Sequence, residues 1–255
     1  MKPTFLEFER PLLTTMVQAA TPERTIELMD KAFPMGAEAF GMQFCQFPAE
    51  YRNEATYKRL FAAAHGLPVY VTNYRGKNNE GKSDDVLAQE MLELACAGAT
   101  LCDVMGDLFD PVPDEFTSDP IAVKKQIELI DAIHAAGGEV LMSSHTKTTS
   151  SADRVLEIAL GQEARGADIC KIVTKAETQE DEIEYLRILN LLKKELKIPF
   201  LFLCGGNYCN LLRRVGSMLG NCMSLCVCEY DDLATKAQPL LSDMRSLREL
   251  LGKKD

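Results

Sequence analysis

The chain has 255 residues, 46% of them hydrophobic and 26% charged, with a formal net charge of −10; this is the profile of a water-soluble enzyme large enough to bury a full core. The acidic surplus repels nucleic acid and anionic lipid, no apolar run nears the ~18 residues of a membrane span, and the opening MKPTFLEFERP sets acids where a leader peptide needs an apolar stretch. A cytoplasmic protein is expected, its partner a small molecule rather than nucleic acid or membrane.

One rhythm then runs along the chain: a short apolar run, a polar junction, a stretch of helical periodicity. Leu12–Met16 reads as a first strand, and Thr21-Pro22 opens a helix with proline at its first position. Ala39–Phe44 follows, then a helix from about Glu54 that stops at Gly66. Pro68–Thr72 leads to a helix from Ser83 to Gly98, and Thr100–Val104 to a helix opened by Asp119-Pro120 and stopped at Gly137. The fifth strand is Glu139–Ser143, carried on to His145 in the run EVLMSSH, with Ser150-Ser151 capping the helix that ends at Gly166. Asp168–Val173, Pro199–Leu203 and Cys222–Cys228 complete the strands, with helices from Glu177 and Asn210 and a last one ending at Leu251. Strands that alternate with helices lie parallel through crossovers. Eight such units in this length predict an α/β protein, a single (β/α)8 TIM barrel, taken as one domain over residues 1–255. No GxGxxG follows the first strand, which argues against a dinucleotide fold.

In such a barrel chemistry sits where strands end and βα loops begin, which singles out Arg75, His145, Lys171 and the segment after Leu203. Lys171 lies inside the apolar run ADICKIV. An unpaired ammonium there would be costly, and a neutral amine in a dry pocket is the nucleophile that imine chemistry needs; a lysine reaching solvent or pairing with a carboxylate is the plainer alternative. His145 is the one histidine of three at this face, and imidazole suits general acid–base work. His65 and His134 stand just before strands, at the opposite face. Arg75 and Arg213 offer guanidinium groups that can grip a carboxylate in two-pronged fashion, whereas Arg214 reads as solvated. The nine cysteines include no CxxC, so Cys222, Cys226 and Cys228 are expected to be reduced packing thiols and no metal site is expected.

These residues, in this order, resemble the type I, Schiff-base 3-dehydroquinate dehydratases of the shikimate pathway, over about Leu12 to Leu251. VLMSSH is similar to the family strand ending in its catalytic histidine, and ADICKI to its A-D-I-x-K-I, so the resemblance assigns these roles to His145 and Lys171. VTNYRGKNNEG resembles T-x-R followed by E-G-G, which implies substrate binding by Arg75 and leaves the family's glutamate at Glu80, or displaced to Asn79. LLRRVGSMLGN resembles S-R-x-x-G-x-x-x-G-S and AQPLLSDMR resembles Q-x-x-x-x-D-x-R, which implies carboxylate binding by Arg213 and Gln238. The resemblance implies dehydration of 3-dehydroquinate to 3-dehydroshikimate, a step of aromatic amino acid biosynthesis. It further implies a lyase that needs no cofactor and works as a homodimer.

The chain departs from the pattern on its second strand. The family's E-W-R is matched by Gly41-Met42-Gln43, and Ala234, Asn221 and Met105 stand where the family has two serines and an acid; Asp103 is kept. Loss of the charged pair predicts a wider pocket, poorer at holding ring hydroxyls, unless Arg52 reaches in to substitute. A Schiff-base aldolase or a dehydratase of a different keto acid, and a catalytically retired barrel kept as a scaffold, are the alternatives.

Overall fold

The structure is a computed structural model that describes residues 3–252, so the two outermost residues at the start of the predicted span and three at its end lie outside it. Eight strands and eight helices alternate: β1 (Leu12–Val17), α1 (Pro22–Ala32), β2 (Ala39–Gln43), α2 (Glu54–Ala62), β3 (Val69–Thr72), α3 (Asp84–Ala97), β4 (Leu101–Met105), α4 (Pro120–Ala135), β5 (Glu139–His145), α5 (Ala152–Ala164), β6 (Ile169–Lys175), α6 (Gln179–Glu195), β7 (Phe200–Gly205), α7 (Asn210–Leu219), β8 (Met223–Cys226) and α8 (Leu241–Leu251). All paired strands are parallel, in the order β7-β6-β5-β4-β3-β2-β1-β8, the nearly closed sheet of a (β/α)8 barrel. No helix among the described residues is long and apolar enough to cross a membrane.

Local chemistry sets the helix starts. The side chains of Thr21, Ser83, Asp119 and Ser151 each accept a hydrogen bond from a backbone N–H of the first turn, which satisfies donors that the helix itself leaves unpaired. The helix expected from Glu177 begins at Gln179, because Thr178 and Asp181 form a reciprocal capping box. The last strand is shorter than its apolar run. Past Cys226 the chain turns to another partner: Val227 N donates to the Pro239 carbonyl and Leu241 N to that of Val227. The three late cysteines do not converge, since the Cys226 thiol donates to the Thr14 carbonyl and that of Cys228 to Leu28.

Side chains alternate in and out along each strand. Met16, Ala39, Tyr70, Leu101, Leu141, Ile169, Leu201 and Leu225 form one buried cluster inside the barrel. Two residues further along three of those strands stand Asp103, Ser143 and Lys171, all nearly inaccessible. An apolar plug therefore supports a polar layer at the C-terminal ends of the strands.

The seam between β7 and β8 is closed by a side chain. Cys222 N donates to the Phe200 carbonyl, and the buried Asn221 amide spans the next position: its Oδ1 accepts from Phe202 N at 2.7 Å and its Nδ2 donates to Phe202 O at 2.9 Å. Asn221→Ala should orphan both buried main-chain groups of Phe202. The expected loss is about 2–4 kcal/mol, read as a lower urea midpoint at unchanged slope. A variant as stable as the parent would show that the seam does not depend on this amide.

Candidate active site

Lys171 is held at its backbone first. The Gln162 amide on α5 brackets it, accepting from Lys171 N and donating to Lys171 O, each at 3.1 Å. The side chain points into the barrel and is buried, but it is not the unpaired amine that its apolar strand suggests. Nζ donates to the hydroxyls of Tyr74 at 2.5 Å and Tyr70 at 2.9 Å, and lies 3.2 Å from Asp103 Oδ2. That same oxygen accepts from both phenols, and Ser143 donates to Asp103 Oδ1 at 2.5 Å. Burial, reinforced by the Asp103 charge, pushes both phenols well above the usual tyrosine range, so they stay protonated at neutral pH.

His145 closes β5. Its Nδ1 lies 2.8 Å and its backbone N 3.0 Å from Glu115 Oε2. Burial raises the Glu115 carboxyl, but its hydrogen bond to His145 and their mutual attraction outweigh that and hold it below the usual range. An ionised carboxylate only accepts, so Nδ1 carries the proton and Nε2 is left to take one. Glu115 itself sits in the left-handed region at φ 51°. The loop that forces it there is clamped by Arg165, whose guanidinium donates to the carbonyls of Gly106 and Thr117 and to Gln126 Oε1, and stacks over the Phe116 ring at 3.9 Å.

Lys171 and His145 face one cavity of about 180 Å³, lined also by Tyr74, Arg213, Thr235 and Gln238 among apolar Met16, Leu203 and Leu225. The lysine and histidine do not hydrogen-bond to each other. Tyr74 touches both, with its hydroxyl on Nζ and its ring edge-on to the imidazole at 5.2 Å and 85°. On the far wall Arg213 Nε donates to the Cys204 carbonyl at 2.7 Å, and no carboxylate among the described residues pairs with it. Burial pulls its pKa below the ordinary arginine value. Gln238 is buried beside it, and its Oε1 has no hydrogen-bond partner among the described residues. A cation without a counter-charge is the making of an anion site, and an orphan amide oxygen beside it calls for a hydrogen-bond donor such as a hydroxyl. A vestibule of about 710 Å³ shares Tyr74 and His145 with this cavity and adds Arg75, Asp107, Glu115 and Lys147. A larger groove of about 930 Å³ near Arg10, Met218 and Arg248 contains none of these groups.

Arg75, Glu80 and the position of Gly41 stand in surroundings that the sequence does not announce. Arg75 is no free guanidinium: it pairs with Asp84 at 2.6 Å and Asp107 at 2.7 Å and lines only the vestibule. Glu80 is exposed at the end of a single turn and lines neither cavity, while Asn79 is buried but occupied by Arg52, Asn73 and the Tyr74 carbonyl. The pocket is also not widened at Gly41. A Cβ there would lie 2.2 Å from Met16 Sδ and 3.3 Å from the Tyr70 ring, so a thioether fills the space. Arg52 does not substitute: it donates to the carbonyls of Phe44 and Phe47 and pairs with Glu90.

Tyr70, Tyr74, Glu115 and Thr235 are among the residues that enter the site unannounced by the sequence. Tyr70 was readable, since it alternates with Val69 and Val71 on β3 and therefore shares the inward face. Tyr74, Glu115 and Thr235 lie in loops, where no periodicity tells which way a side chain turns.

Comparison with known proteins bears on the family and the fold. The family model described as type I 3-dehydroquinase matches residues 15–255. A 3-dehydroquinate dehydratase of Alkaliphilus oremlandii is 35% identical over 101 residues, 38% of this chain and 40% of that protein. One of Aromatoleum aromaticum is 23% identical over 198 residues, 76% of this chain and 71% of the relative. Among solved structures, a 3-dehydroquinate dehydratase from Geobacillus kaustophilus superposes with a TM-score of 0.83 at 16% identity, covering 97% of this chain and 93% of the other. One from Aquifex aeolicus does so with a TM-score of 0.70 at 19% identity, covering 95% and 100%. The chain belongs to the type I 3-dehydroquinase family.

Proposed function

We propose that the chain is a hydro-lyase that dehydrates 3-dehydroquinate to 3-dehydroshikimate through an imine on Lys171. The observation that carries this reading is the sharing of one small cavity by the buried Lys171 amine, the imidazole of His145 and the unpaired guanidinium of Arg213. Family membership supports the same substrate.

Lys171 condenses with the substrate ketone, and the protonated imine draws electrons from the adjacent C–H bond. His145, its Nδ1 proton committed to Glu115, takes the carbon proton at Nε2. It then returns that proton to the β-hydroxyl, which leaves as water. Hydrolysis of the product imine frees Lys171. Arg213 and Gln238 hold the carboxylate and so fix which face of the ring meets His145. Arg75, spent on two aspartates, shapes the vestibule instead.

Met16 gives a specific reason to weigh a second substrate. An apolar thioether in the space at Gly41 offers nothing to a ring hydroxyl, which favours a keto acid with fewer hydroxyls. A steady-state assay of enone absorbance separates the two. With 3-dehydroquinate we expect a specificity constant below the roughly 10⁴ M⁻¹s⁻¹ of ordinary good enzymes; a higher value would make the second-strand changes irrelevant.

Lys171→Ala should give neither turnover nor a borohydride-trapped adduct by mass spectrometry. His145→Ala should turn over roughly 10²–10⁴-fold more slowly yet still trap the substrate, and unchanged turnover would remove its assigned role. Arg213→Gln should raise KM by about one to two powers of ten, the worth of a charged hydrogen bond. An unaltered KM would place the carboxylate elsewhere.

A further inference from the structure

Resting on the imine reading above, we infer that Tyr74 is a second catalytic residue, carrying protons at the nitrogen of Lys171 while His145 serves the substrate carbon. Nζ makes its contacts to Tyr74, Tyr70 and Asp103, and none to His145. A proton leaving or reaching the amine therefore meets one of the two phenols or Asp103, and the Tyr74 hydroxyl is the nearest of the three. The Tyr74 hydroxyl bridges the amine and Asp103 Oδ2, at 2.5 Å from each. Tyr70 makes the same pair of contacts but is wholly buried, whereas Tyr74 is partly exposed and lines both the cavity and the vestibule. Both phenols line the cavity, and Tyr74 is the more accessible of the two to an oxygen of an incoming ketone.

The relay balances at each step. The Lys171 ammonium passes a proton to Tyr74 as Tyr74 passes its own to Asp103, which leaves a neutral amine and a protonated carboxyl. The amine lone pair forms the C–N bond, and the ketone oxygen takes up the pair from the broken C=O π bond. One N–H proton then reaches that oxygen through the same phenol, giving a neutral carbinolamine. Its C–O bond breaks as the proton held by Asp103 returns through Tyr74, water leaves, and the nitrogen lone pair closes the C=N bond. Ammonium and ketone have become iminium and water, with Asp103 again a carboxylate facing the new cation. His145 is absent from this sequence, so its proton-accepting nitrogen remains free for the carbon chemistry.

The test is the time course of borohydride trapping, read by mass spectrometry of the intact chain, for wild type, Tyr74→Phe, Tyr70→Phe and His145→Ala. Two carbonyl probes are used: 3-dehydroquinate, and pyruvate as a minimal keto acid that needs no ring recognition. Tyr74→Phe, with an unchanged melting temperature, should trap either probe roughly 10²-fold or more slowly and lose the pH dependence of the wild-type trapping rate. His145→Ala should trap at the wild-type rate, and Tyr70→Phe should be slowed less than Tyr74→Phe. Trapping of Tyr74→Phe at the wild-type rate, or equal slowing by His145→Ala, overturns the inference and leaves the imine reading standing. Wild-type protein that traps neither probe overturns both.

Discussion

Asp103 is the carboxylate around which the polar layer of the barrel is built. One of its oxygens accepts from two phenols and faces the Lys171 ammonium, while the other accepts from Ser143. These groups come from β3, the loop after it, β4, β5 and β6, so a single side chain ties half of the barrel's circumference together. A carboxylate buried this deeply persists only if nearly all its lone pairs are used, and here they are. The arrangement also explains how a lysine is kept at the centre of a parallel sheet without reaching water: its charge is balanced and its three protons are directed.

The sequence carried the barrel because its signals are local and repeated. Proline after threonine or aspartate, glycine before the next strand and uninterrupted apolar runs act within a few residues of where they stand, and each recurs round the barrel. Lys171 and His145 were legible for the same reason, since strand periodicity and the rule that strand ends carry chemistry fix both their face and their height. Arg213 was offered by its place after the seventh strand, Gln238 by resemblance alone, and both line the cavity in the structure.

What could not be read is whatever depends on pairing between distant segments. Nothing near Arg75 says that Asp84 and Asp107 will claim it, because the second aspartate arrives from another strand end. Nothing near Gly41 says that Met16 will lie in its missing side chain's place, because the neighbour is set by the register of β1 on β2. Glu115 is the plainest case. It belongs to no element, adopts a backbone conformation uncommon for its residue type, and reaches His145 from a loop that Arg165 clamps from the end of a helix that follows His145 in the chain.

That clamp sets how finely the fold can be divided. A Cβ at Gly161 would lie 2.3 Å from the Phe116 ring and one at Gly106 2.7 Å from the Glu115 carbonyl, so the loop, the first residue after β4 and the last turns of α5 fit only one another. The smallest exchangeable piece that carries the histidine with its carboxylate is thus not one strand and its helix but two consecutive pairs, from β4 to Arg165. Recombination between related barrels at a boundary inside that span would deliver a histidine whose ring nothing orients; a crossover on either side of it would move the dyad intact.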